Sequence, residues 1–134
     1  MSVSIKIDHS RRLVISRFTG EMTNDDLRRQ KEIIDSGGPY VGEYFVVADF
    51  SEITALKATP DMVRWLAAQR PPIVNARRAI VAPHEEAFAL ALLYKSASAE
   101  TRPDTIVVRS MDEAFQTLGI DMRKVPRASG VSSS

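Results

Sequence analysis

The run Tyr44-Phe45-Val46-Val47-Ala48-Asp49-Phe50 constrains the fold more than any other stretch of this chain. A strand with one wet face alternates apolar and polar residues, whereas this run is apolar at almost every position and rich in aromatic and β-branched side chains. It therefore predicts a central strand covered on both faces. A polar loop is expected after Phe50, and Thr59-Pro60-Asp61 then reads as a helix start. Threonine is a favoured N-cap and proline suits the first helical position. That helix is predicted from Pro60 to about Gln69, ended by Arg70-Pro71-Pro72 because proline disfavours helical geometry in the residue before it.

The rest of the chain falls into place around this unit. Val3, Ile5 and Ile7 alternate with polar residues, and Leu13 to Phe18 forms a second strand, so an opening hairpin is expected with its turn at Asp8-His9-Ser10 and its end at Gly20. Thr23 caps a helix carrying Leu27, Ile33 and Ile34, and Ser36-Gly37-Gly38-Pro39 stops it. Ala79 to Ala82 reads as a short buried strand, and His84 to about Ala99 as a long helix. Thr105 to Arg109 is the last strand. Ser110 and Glu113 have capping-box spacing, and Gly119 closes the final helix in a left-handed conformation. The order β-β-α-β-α-β-α-β-α predicts an α/β fold: a mixed, mostly parallel sheet of four or five strands with about four helices.

With 134 residues, one domain over 1–122 is expected, followed by a flexible small-residue tail over 123–134. No apolar run approaches the ~20 residues that span a bilayer, and no secretory signal is visible at the start. The chain has no cysteine, which removes disulfides, thiolate catalysis and cysteine-bound zinc. Its net charge of +1 comes from scattered basic residues, so nucleic acid is not an expected partner. A cytoplasmic location fits this composition.

The chemistry-bearing motifs are few. Glycine-rich phosphate loops and nucleophile elbows are missing. His84-Glu85-Glu86 lacks a second histidine one turn on, where Phe88 stands, so neither metal nor cofactor is expected. Asp49 is expected at the end of its strand, on the sheet edge where open α/β folds place their sites, with Ser51, Thr54 and Thr59 nearby. The alternative for Asp49 and Ser51 is local hydrogen bonding in the exit turn, and for Thr59 a purely capping role. The segment Ala87 to Tyr94 is apolar all round, more than one sheet can cover. The alternatives for Phe88 and Leu92, with Trp65 on the preceding helix, are plain core packing under neighbouring helices or, for the surplus, a homodimer contact or the wall of an apolar pocket.

The phrases FVVADFSEIT, RRAIVAPHEEAFALALLY and SMDEAFQTLGI, in this order, resemble the SpoIIAA-like proteins of the STAS/SEC14 type over about residues 3–120. The resemblance implies a small helix-covered sheet acting by binding. STAS anti-sigma-factor antagonists carry Asp-Ser at the start of the second helix, with the serine phosphorylated to release a partner. Here Lys57-Ala58 takes that place, so the usual phosphoserine is missing, and Thr59 stands one residue along beside Asp61. The expectation is a non-catalytic protein-interaction or regulatory module. Its rival is a carrier or sensor of an apolar small molecule or lipid, as the SEC14 side implies.

Overall fold

A computed structural model describes residues 3–121. The tail expected over 123–134 lies outside the described residues. The elements run β1 (Val3–Asp8), β2 (Leu13–Met22), α1 (Asn24–Ser36), β3 (Tyr44–Leu56), α2 (Pro60–Ala68), β4 (Ala76–Val81), α3 (Glu85–Ala97), β5 (Thr105–Val108) and α4 (Met111–Leu118). The domain is α/β, and its five strands lie in the order β1-β2-β3-β4-β5. The β1–β2 hairpin is antiparallel and every later neighbour is parallel.

Each crossover from β2 to β5 steps to the next strand in the same direction. Right-handed crossovers that advance one way put their helices on one face of the sheet. Leu27 of α1, Met62 and Leu66 of α2, and Ala87 and Ala91 of α3 accordingly share one core cluster with Phe18, Phe50 and Ile80. The helix after β5 folds onto the opposite face. There Phe115 and Leu118 of α4 pack on Leu13, Ile15, Val47 and Val81. Helices on both faces are the reason β3 can be apolar at consecutive positions.

Two strands are longer than the sequence reading expects. Where a polar loop was predicted after Phe50, β3 continues to Leu56; β2 passes Gly20 and ends at Met22. The added residues pair with each other, Thr19 with Glu52 and Met22 with Leu56, beyond the last β3–β4 pair at Asp49 and Val81. Gly20 does not close the strand; at φ 68° it accommodates the register shift before Glu21. The ribbon is stabilised by burial of Met22 and Ile53, while Glu52 and Thr54 stay in water. Upstream, β4 starts at Ala76 rather than Ala79, which draws Arg77 and Arg78 into the sheet.

The helix ends follow local chemistry. Thr23 Oγ1 accepts from Asp26 N at 3.2 Å while the Asp26 carboxylate accepts from Thr23 N at 2.8 Å, a reciprocal box. At α4 only half of the predicted box forms. Ser110 Oγ accepts from Glu113 N at 3.1 Å, but Glu113 Oε1 accepts from Arg109 N at 2.9 Å, one residue further back. Gly119 ends α4 at φ 78°, as its spacing predicts. Among the described residues no helix is long and apolar enough to cross a membrane.

Candidate functional site

Neighbouring residues of β3 meet different surroundings. Val47 faces α4 and is fully buried, whereas Val46 and Ala48 face the three-helix side and are only partly buried. The cause is a cleft of about 140 Å³ that opens over the middle of the sheet. In the packing of the helices, α1 sits chiefly on β1 and β2, while α2 sits against α3. The gap between these two units lies over β3 and β4. Val46, Ala48 and Phe50 form its floor, Leu27 and Ile34 of α1 one wall, and Leu66, Leu90 and Tyr94 of α2 and α3 the other. The starts of α1 and α2 are tied together: Thr59 N donates to Asn24 Oδ1 at 3.0 Å, and Asn24 Nδ2 donates to Thr59 Oγ1 at 3.3 Å.

One end of the cleft is cationic. Arg78 of β4 and Arg102 before β5 both line it, and each is 7% exposed. Among the described residues neither has a carboxylate within ion-pair distance. Arg78 donates from Nη2 to the Ile73 carbonyl. Arg102 donates from Nη1 to the carbonyls of Ala67 at 3.2 Å and Gln69 at 3.1 Å and to Thr101 Oγ1 at 3.0 Å. It thus meets the negative C-terminal end of α2. The Arg102 guanidinium also lies 5.6 Å from the centre of the Tyr94 ring. Burial lowers the pKa of Arg78 from its ordinary value and Arg102 adds to that shift, with Tyr94 and then Asp104 opposing it through space. Burial raises the Tyr94 phenol, against the pull of Arg102 and Arg78. Lys31 and Arg70 add positive charge to the lining; Asp35, its one carboxylate, pairs with Lys31. Ser16, beside Ala48 across the β2–β3 ladder, is 1% exposed and its hydroxyl finds no partner among the described residues.

The residues singled out by sequence are not brought together in this cleft. Asp49 is not at a strand end but within β3, on the α4 side, and is 2% exposed. Its Oδ2 lies 3.3 Å from Arg17 Nε, and its Oδ1 accepts from Ser51 N at 2.9 Å and Ser51 Oγ at 2.6 Å. Asp49 and Ser51 are therefore engaged with one another and with Arg17, a partner the sequence did not suggest. Thr59 is the α2 N-cap, accepting from Met62 N at 3.2 Å. Ala58, just before that cap, is 9% exposed and belongs to the core. Trp65 and Leu92 are each 45% exposed. Phe88 is shielded by the Arg109 guanidinium 3.7 Å above its ring, and that arginine is held 3.1 Å from Glu85.

The two histidines differ in their surroundings. His9 Nε2 lies 2.8 Å from the Gly37 carbonyl, which can only accept, so Nδ1 of the neutral ring accepts from the Tyr44 hydroxyl at 2.7 Å. His84 stands at the N-cap of α3 without a side-chain capping bond. Among the described residues no three His, Cys, Asp or Glu side chains are grouped to hold a metal ion.

Sequence reasoning did not single out Val46, Arg78, Tyr94 or Arg102, which line the cleft. The available signal was Arg78, a charge beside the apolar strand Ala79-Ile80-Val81, where a solvent-facing role is the ordinary reading. A comparison with protein-family models finds no match, and a comparison with curated proteins finds none either.

Proposed function

We propose that this chain is a non-catalytic binding domain that takes a small apolar molecule into the cleft between α1 and the α2–α3 pair, as a carrier or sensor. The observation that carries this reading is the partial exposure of Val46 and Ala48 at the centre of the sheet. A helix-covered sheet ordinarily closes over its middle strand, and most ligand sites are apolar concavities with a few placed polar groups. Lack of catalysis is part of the proposal. The Asp49 carboxylate is occupied by Arg17 and Ser51, on the face of the sheet away from the cleft. The SEC14 side of the resemblance and a cytoplasmic setting belong to the same proposal.

Titration with 1-hexanol, followed by amide chemical shifts, tests it. The expected result is saturable shifts centred on Val46, Ala48, Leu66 and Leu90, abolished by Ala48→Phe. Weak shifts scattered over the surface would sink the reading. A protein-interaction module, homodimeric or with another partner, has one observation in its favour: the exposed Trp65 and Leu92 on adjacent helices. Sedimentation across a concentration series decides the homodimer. Self-association reversed by Leu92→Glu supports it, and a monomer at every concentration removes it.

A further inference from the structure

We infer that the cleft's ligand is an amphiphilic carboxylate, with its head at Arg78 and Arg102 and its apolar body over Val46 and Ala48. This deepens the cleft-binding reading and rests on it. The first support is charge. The chain as a whole has a net charge of +1, yet the cleft lining carries four cations (Lys31, Arg70, Arg78 and Arg102) and one carboxylate, Asp35, already paired with Lys31. Removing guanidinium groups from water is costly unless an anion or several good acceptors compensate. Arg102 is partly compensated by the end of α2, whose exposed carbonyls carry about half a negative charge. Asp104 acts on Arg78 only through space, and the guanidinium has one carbonyl for five donors, so most of its donors are left for a ligand.

The second support is shape. The planar guanidinium fork matches a carboxylate, and its weak hydration makes it the better cation where the guanidinium itself is buried. An apolar cavity of about 150 Å³ holds benzene, so the 140 Å³ here takes a compact body of about six to ten carbons, the longer ones reaching into the mouth. A two-chain lipid does not fit that volume.

Calorimetric titration of the full chain with sodium octanoate and with 1-octanol, at equal ionic strength, separates head from body. Octanoate is expected to bind at least tenfold more tightly. Arg78→Met together with Arg102→Met should bring it down to the octanol level while octanol binding is retained, which also shows that the cleft is intact. Ala48→Phe should abolish both. Equal affinity for the two probes in the unaltered protein overturns the carboxylate assignment and leaves the cleft reading standing, and needs no variant to fold. Persistence of the preference in the double variant overturns it too, as does tighter binding of octyl phosphate. If neither octanoate nor octanol binds, the cleft reading falls and the inference with it.

Discussion

The two faces of the sheet treat buried arginine differently. On the α4 face, Arg17 reaches Asp49 at 3.3 Å, and the carboxylate is completed by the backbone and hydroxyl of Ser51. On the three-helix face, Arg78 is more deeply placed but meets a carbonyl, and the space beside it is a cleft. The first arrangement is closed, since each charged group has its counterpart within the fold. The second is open, since an acceptor is wanting and there is room for one. Burial alone therefore does not single out Arg78; burial with one carbonyl acceptor, at the edge of a cavity, is what makes it the candidate.

Breaking each arrangement should give unequal losses. Arg17→Met leaves the Asp49 carboxylate buried without its cation and is expected to cost about 3 kcal/mol in urea unfolding. Arg78→Met strands no carboxylate and should cost about 1 kcal/mol, the scale of one lost hydrogen bond. Similar losses from both would break the contrast between the faces.

Neighbouring positions of β3 sharpen the same contrast in apolar packing. Val47→Ala opens a hole in a filled layer and is expected to cost about 2 kcal/mol. Val46→Ala widens space that is already open, so its cost should stay below about 1 kcal/mol. An equal effect at the two sites would mean that the cleft closes in solution.

A smaller effect is expected where the cleft's two sides are tied. Thr59→Ala should lower stability by about 1 kcal/mol, through loss of the α2 cap and of the contact from Asn24, with Thr59→Ser restoring most of it. Unchanged stability together with lost binding to a partner would instead make Thr59 a functional residue.

The smallest effect concerns a third ionic setting, at the hairpin turn. The Ser10 hydroxyl and then Arg11 lower the Asp8 pKa from 3.8 to about 2. A lowered folded-state value adds stability that is complete above the unfolded value and lost as pH falls from about 4 toward 2. Water screens this turn, so Asp8→Asn should cost less than about 1 kcal/mol at neutral pH. The difference from the unaltered protein should vanish near pH 2; a gap that persists there would assign the loss to hydrogen bonding rather than ionisation.

Much of the fold was legible because local patterns act locally. The apolar run from Tyr44 announced a doubly covered strand, and Thr23, Thr59 and Gly119 announced helix ends through donors and dihedral angles that need no distant partner. The misreadings occurred where pairing decided the outcome. Ser51 to Leu56 looked like a loop because its polar residues were conspicuous, yet the alternation of exposed Glu52, buried Ile53 and exposed Thr54 is a strand signal once β2 lies alongside. Nothing local in the sequence reveals that Arg109 lies over the Phe88 ring.

What the sequence by itself determined is the order of elements and their caps; the strand order, and with it the side of the sheet on which three helices lie, came from tertiary pairing. Only the tertiary structure decided that α1 packs on the hairpin while α2 packs on α3, leaving a cleft between them. Only there does Arg78, whose neighbours in sequence point to the opposite face, meet Arg102 from beyond α3. The reason is physical: caps and periodicity are set within a few residues of chain, whereas a cavity is the space that elements distant in sequence fail to fill.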